Sequence, residues 1–193
     1  MIMESKYIVA LGASAGGLSA LSEFFDHTMP DGISYVITTH LYPHQRSVLS
    51  EIIQKHSAIE VCTVENDMEI KSNMVYVMPE NKTMTLFGER LILRDRDLSV
   101  KTNKAIDIFF VSLAKDTAFK KIAIIFSGMG DDGTTGVRAM AKSGAYIIAQ
   151  TPHTAGHQSM PESVIEAGFV NAILDPKYMP KAIIEVLPHM EES

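Results

Sequence analysis

The chain has 193 residues, with 17 basic and 23 acidic side chains and a formal net charge of −6. This length corresponds to about one domain, and a hydrophobic fraction of 46% argues against a disordered chain. The acidic balance argues against a general binder of nucleic-acid phosphates, and the single cysteine, Cys62, excludes a disulfide framework or a cysteine-rich zinc site.

Strand and helix patterns alternate along the sequence. In chain order, the first predicted elements are a strand over 7–11, a helix over 18–25, a strand over 34–39 and a helix over 48–53. The middle differs, with short strands predicted over 74–78, 83–87 and 91–93, the last two joined by a Gly-Glu turn as a hairpin. The remaining elements are a helix over 106–114, a strand over 122–126, a helix over 135–143, strands over 146–149 and 169–174, and a helix over 177–186.

Strands separated by helices predict an α/β fold with an open, mostly parallel, doubly wound sheet and helices on both faces. The middle region is expected to add an antiparallel hairpin. We expect a single domain over 1–193 with its core over about 6–187. No apolar run approaches the roughly 20 residues of a membrane-spanning helix, and no secretion signal is recognisable, so we expect a cytoplasmic protein without membrane insertion.

Polar residues follow three of the predicted strands, where open α/β sheets bind their ligands. They are Ser14, His40 and the pair Asp131-Asp132. Serine, histidine and aspartate are the residue types of a nucleophile, its general base and the carboxylate that orients the base. Because the three segments are far apart in the sequence, only the fold can bring them together.

The segment around Ser14 fits the G-x-S-x-G pattern of a nucleophile elbow, in which small neighbours allow a tight strand-to-helix turn. A capping role for Ser14 at the start of the next helix is an equally good interpretation of this segment alone. Dinucleotide binding is less favoured, since G-x-G-x-x-G needs glycine where Ser14 stands. The order Ser, His, Asp also differs from the Ser, Asp, His order of the α/β-hydrolase fold.

Two patterns could indicate a metal. His153 and His157 are four residues apart, as ligands on a helix would be, but Pro152 and Gly156 argue against a helix there. The pair Asp131-Asp132 could bind Mg²⁺, although nothing else in the sequence indicates a nucleotide substrate. We therefore expect neither a metal nor a cofactor.

The combination of motifs resembles the catalytic domain of the bacterial chemotaxis receptor methylesterases, the CheB family, over nearly the whole chain. The motifs are Gly12-Ala13-Ser14-Ala15-Gly16-Gly17, Thr39-His40-Leu41, Ile106-Asp107-Ile108-Phe109-Phe110, Ser127-Gly128-Met129-Gly130-Asp131-Asp132-Gly133-Thr134-Thr135-Gly136, Ala149-Gln150 and Met160-Pro161. The residues at 15 and 42–46 look more like the versions fused to a receptor methyltransferase than those fused to a receiver domain.

The resemblance implies a serine esterase that hydrolyses glutamate γ-methyl esters on chemoreceptor helices, with glutamine deamidation as a second activity. Ser14 corresponds to the nucleophile, His40 to the base and Asp132 to the third member of the triad. Backbone N–H groups at Ala15, Met129 and Gly130 are candidates for the oxyanion site. Asp131 falls on a variable position of the motif and takes no role.

The chain departs from many members of that family at two positions. Ala15 stands where many have threonine, which removes a hydroxyl beside the nucleophile, and Val111 stands where many have arginine, which removes a charge suited to an acidic receptor helix. These departures keep open an alternative, a non-catalytic module that docks onto a receptor, a methyltransferase domain or a kinase-pathway protein. No receiver domain fits within the sequence, so we expect no inhibition in cis and no response to a phosphodonor.

Overall fold

A computed structural model describes residues 6–40 and 49–191. The strands in these residues are β1 (Lys6–Ala13), β2 (Ser34–Thr39), β3 (Glu60–Thr63), β4 (Met68–Glu69), β5 (Met74–Val77), β6 (Lys82–Phe87), β7 (Arg90–Asp95), β8 (Phe119–Ile125), β9 (Tyr146–Gln150) and β10 (Ala172–Leu174). The α-helices are α1 (Gly17–Asp26), α2 (Leu49–His56), α3 (Ala105–Ala114), α4 (Thr134–Lys142), α5 (Ser159–Glu166) and α6 (Met179–Glu191). Short 3₁₀ helices occupy Pro152–Thr154 and Pro176–Tyr178.

The main sheet has seven strands in the described part of the chain, in the order β10-β9-β8-β1-β2-β5-β3. Every neighbouring pair in it is parallel. Successive residues of each strand face opposite sides, so the buried side chains divide into two clusters. Helices α3, α4 and α5 cover one face, and α1, α2 and α6 cover the other. The expected doubly wound α/β fold is confirmed.

The hairpin of β6 and β7 is also confirmed, and with β4 it forms a separate antiparallel sheet. The short strand predicted over 74–78 is present as β5, Met74–Val77, and it is not part of this antiparallel sheet. Strand β5 lies in the main sheet between β2 and β3 and is parallel to both. Its last three residues are buried, as in a strand covered on both faces, and that burial makes its pattern continuous rather than alternating.

Several smaller differences separate the sequence-based elements from the structure. The half-exposed strand β3, the two-residue strand β4 and helix α5 were not predicted. The strand expected over 169–174 is confined to β10, and the last helix begins only after a 3₁₀ turn. Residue 48 of the second predicted helix lies outside the described residues, and α2 begins at Leu49.

Strands β8, β1 and β2 are neighbours at the centre of the main sheet. Because these strands are parallel, their carboxyl ends lie at one edge, and ligands of such sheets bind beyond that edge. Ser14 follows β1 directly and His40 follows β2 directly. Within the described ranges, none of the helices has the length and apolar character needed to cross a membrane.

Candidate active site

Ser14 lies in the three-residue connection between β1 and α1. Its N–H donates to the carbonyl of Ser127, 2.9 Å away, and its carbonyl accepts from the N–H of Gly17 at 2.8 Å. Helix α1 is capped by Gly16 with a left-handed φ of 75° and has no side-chain cap. Since the Ser14 hydroxyl does not cap the helix, the capping interpretation of this segment was wrong.

The loop after β8 packs closely against Ser14. A Cβ atom on Gly128 would lie 2.9 Å from Ser14 Cβ and 2.2 Å from the sulfur of Met160. The adjacent Ser127 hydroxyl donates to the carbonyl of Ala15 at 2.7 Å and accepts from the N–H of His157 at 2.9 Å. The fully buried Ser127 therefore ties the elbow to the segment that precedes α5.

The structure brings the three expected polar residues into one hydrogen-bonded chain. Ser14 Oγ lies 3.0 Å from His40 Nδ1, and His40 Nε2 lies 3.0 Å from Asp132 Oδ2. The side chain of His40 is 15% exposed and that of Asp132 is 4% exposed. A nucleophile, a base within hydrogen-bond reach and a carboxylate behind the base form the arrangement used in nucleophilic catalysis.

The N-terminus of α3 holds the carboxylate of Asp132. Oδ2 accepts from the N–H of Ile106 at 3.0 Å, and Oδ1 accepts from the N–H of Asp107 at 2.9 Å. Helix N-termini favour anions because their first N–H groups lack partners within the helix. These donors replace the water that Asp132 loses on burial and fix the direction of its carboxylate toward His40.

Asp107 is a second buried carboxylate beside the site, and the sequence interpretation gave it no role. Its Oδ1 accepts from the N–H groups of Gly133 and Gly136, at 2.9 and 2.8 Å. Burial raises the pKa of Asp107 to about 6, and the charge of Asp132 adds to the rise. The available signal was an acidic residue in the first turn of an otherwise apolar helix.

The oxyanion candidates differ in the state of their N–H groups. The N–H of Gly130 donates to Ser159 Oγ at 2.9 Å, so this group already has an acceptor, and its role in an oxyanion site stays a prediction. Among the described residues, the N–H groups of Ala15 and Met129 have no acceptor. Ala15 follows Ser14 directly, and Met129 follows Gly128, which packs against Ser14. Both N–H groups therefore remain candidates for the oxyanion site.

The structure does not group the residues that were considered as metal ligands into a common site. His153 belongs to a 3₁₀ turn and His157 to the bend after it, so no single helix carries both. Asp131 is exposed and pairs with Lys104 at 2.9 Å, whereas Asp132 faces His40. Across 6–40 and 49–191, no three His, Cys, Asp or Glu side chains are arranged to hold a metal ion.

Val111, the second of the two departures noted in the sequence, lines a shallow surface cavity of about 360 Å³. Asp107, Ile108 and Lys115 line the same cavity. Lys115 is one helical turn beyond Val111 and provides a positive charge on that side of α3.

The chain is similar to a known family, to curated proteins and to a solved structure. A model of the CheB methylesterase family matches residues 9–183. The crystal structure of the Thermotoga maritima CheB methylesterase catalytic domain superposes with a TM-score of 0.82 at 26% identity, covering 95% of this chain and 100% of that one. The protein-glutamate methylesterase/protein-glutamine glutaminase of Bacillus licheniformis is 30% identical over 195 residues, which is 97% of this chain and 54% of the relative. The protein of the same name from Photorhabdus laumondii is 27% identical over 95% of this chain and 53% of its own length. The chain thus spans about half the length of these curated relatives.

Proposed function

Because the chain belongs to the CheB methylesterase family, we propose that it hydrolyses γ-methyl esters of glutamate on chemoreceptor helices. The products are a glutamate side chain and methanol. The observation that carries this proposal is the hydrogen-bonded chain of Ser14, His40 and Asp132 at the carboxyl edge of the main sheet. These three residues are proposed as the catalytic triad.

In the first half of the reaction, Ser14 Oγ attacks the ester carbonyl while His40 Nδ1 accepts the hydroxyl proton. Asp132 accepts a hydrogen bond from Nε2–H and stabilises the positive charge that develops on the ring. As the tetrahedral intermediate breaks down, the proton on Nδ1 passes to the departing methoxide oxygen. Methanol leaves, and the glutamyl group stays bound to Ser14 as an ester.

In the second half, a water molecule attacks the acyl-enzyme. His40 Nδ1 accepts a proton from this water and then returns it to Ser14 Oγ as the new carboxylic acid departs. The N–H groups of Ala15 and Met129 are proposed to donate to the oxyanion in both halves. The proposed donor of Ala15 is its backbone N–H, which does not depend on the side chain. The absence of a threonine hydroxyl at this position therefore does not remove the donor.

The same site suits a side-chain amide, because the proton on His40 can be delivered to a departing ammonia. Hydrolysis of receptor glutamine to glutamate is therefore proposed as a second activity, in line with the printed names of the curated relatives. The proposed mechanism uses no cofactor. Its proposed partners are the cytoplasmic helices of methylated receptors, with a methyltransferase domain or a kinase-pathway protein as further candidates. A cytoplasmic location is proposed on the same ground.

The test is methanol release from methylated receptor by three purified forms, wild type, Ser14→Ala and Ser19→Ala. Ser19 is exposed on α1, one turn beyond the elbow, and serves as the matched control. Ser14→Ala should lose activity by roughly 10³-fold or more, whereas Ser19→Ala should keep it. Full activity of Ser14→Ala would end the proposal.

A serine-directed fluorophosphonate provides a second measurement. Mass spectrometry should locate the label on Ser14 in the wild type and in Ser19→Ala. A wild-type chain that binds methylated receptor but neither releases methanol nor takes the label would support the non-catalytic docking module instead.

A further inference from the structure

Two carboxylates beside the site are linked in a reciprocal way. Asp132, just before α4, accepts from N–H groups in the first turn of α3, and one of these belongs to Asp107. Asp107, in that turn of α3, accepts from the N–H groups of Gly133 and Gly136 at the start of α4. Each carboxylate therefore caps the helix that belongs to the other.

The contact with Gly133 bears directly on Asp132. The N–H of Gly133 belongs to the peptide bond that follows Asp132, so Asp107 Oδ1 holds the backbone on that side. The N–H of Asp107 holds the other end of the residue, at carboxylate Oδ1. Gly133 itself has a φ of 102°, a left-handed turn that only glycine adopts readily. The position of Asp132 thus depends on the hydrogen bond that Asp107 accepts from the N–H of Gly133.

We propose that Asp107 is a positioning residue, which fixes the Asp132 carboxylate against His40 Nε2 by accepting the N–H groups of Gly133 and Gly136. This inference rests on the proposed function, since it assigns a residue that supports the triad. Asp107 acts through Asp132 and does not contact the reacting atoms. Its loss should lower kcat and leave KM unchanged.

The positioning role depends on Oδ1 of Asp107 as a hydrogen-bond acceptor and not on the negative charge of the carboxylate. The charged groups that face Asp107 are Asp132, and Lys104 with its Nζ 3.9 Å from Oδ2. Both hydrogen bonds from α4 go to Oδ1 instead. An asparagine side chain keeps a carbonyl oxygen for these bonds, whereas leucine has a similar size and no acceptor. The two substitutions therefore separate positioning from simple filling of the space.

The experiment compares Asp107→Asn and Asp107→Leu with wild type in the methanol-release assay above pH 7.5. Asp107→Leu should lose about 100-fold in kcat with KM within about twofold, the cost expected of a misplaced catalytic group. Asp107→Asn should stay within about threefold of wild type in both constants. Asp131→Asn, at the exposed neighbouring acid, is the matched control and should match wild type.

A second measurement is independent of substrate. The proton between His40 Nε2 and Asp132 should give a low-field NMR signal in wild type and Asp107→Asn, and this signal should be lost or shifted in Asp107→Leu. If Asp107→Leu does not fold, as judged by circular dichroism, Asp107→Ala takes its place. Equal kcat in wild type and the acceptor-free variant, or equal losses in the asparagine and acceptor-free variants, would overturn the inference.

The two measurements also separate this inference from the proposed function. If wild type releases no methanol, the function fails, and the NMR signal still decides whether Asp107 positions Asp132. An unchanged signal in the acceptor-free variant then overturns the positioning role by itself.

Discussion

His40 Nε2 lies 3.0 Å from Asp132 Oδ2, so the ring presents its other nitrogen, Nδ1, to Ser14 Oγ. In the familiar serine-protease triad the two nitrogens have the opposite partners. The chemistry is preserved, because either nitrogen can accept the serine proton while the other donates to the carboxylate. The neutral ring must then carry its hydrogen on Nε2, and this tautomer is the one that a carboxylate acceptor at Asp132 selects.

Asp132→Asn should disrupt that selection. Asp132 Oδ2 accepts from both His40 and Ile106, and Oδ1 accepts from Asp107, so an amide NH₂ in either position would face a donor. We expect kcat to fall by up to roughly 10⁴-fold, the size of the loss known for an asparagine in a better-studied triad. Steady-state methanol release measures the loss, with Asp131→Asn as the control.

Nitrogen-15 NMR of His40 provides a direct check on this prediction. The wild type should show the hydrogen on Nε2, and Asp132→Asn should shift the population toward Nδ1–H. An Asp132→Asn enzyme with wild-type kcat would show that the carboxylate does not set the tautomer.

Gly128→Ala tests the close packing of Gly128 against Ser14. The new Cβ would meet the sulfur of Met160 at 2.2 Å and Ser14 Cβ at 2.9 Å. The thioether can move, but Ser14 is fixed by backbone hydrogen bonds on both sides. We expect a loss of about 1–3 kcal/mol in unfolding free energy, measured in urea, and a loss of activity.

The double variant Gly128→Ala/Met160→Ala separates the two contacts. It removes the sulfur clash and leaves the clash with Ser14. In a double-mutant cycle, the two substitutions should couple favourably in stability but not in kcat. Recovery of kcat along with stability would show that the Ser14 contact is unimportant.

Much of this architecture was predictable because the buried faces of helices and strands repeat apolar residues at a regular spacing in the sequence. Strand β2 carries the apolar run Tyr35–Ile37, and the positions of Ser14 and His40 follow from where β1 and β2 end. Asp107 was missed, because an acid in the first turn of a helix usually caps its own helix and here caps another. The ring orientation of His40 and the engaged N–H of Gly130 depend on atomic distances between segments far apart in the chain, which no local pattern encodes.

The stability of the folded chain should depend on pH through Asp107. The pKa of Asp107 is raised to about 6 from an ordinary value of 3.8, chiefly by burial. The folded chain therefore binds this proton more tightly than the unfolded chain does. The resulting stabilisation is fully present below about pH 3.8 and is lost as the pH rises through 6. Asp107→Asn cannot ionise, so its unfolding free energy relative to wild type should increase between pH 4.5 and 7.5, by on the order of 1–3 kcal/mol. Urea unfolding across this range measures the difference.

Asp131→Asn serves as the control, because Lys104 lowers the pKa of that exposed acid and its contribution changes only at more acidic pH. A difference for Asp107→Asn that stays constant or shrinks as the pH rises would contradict the raised pKa.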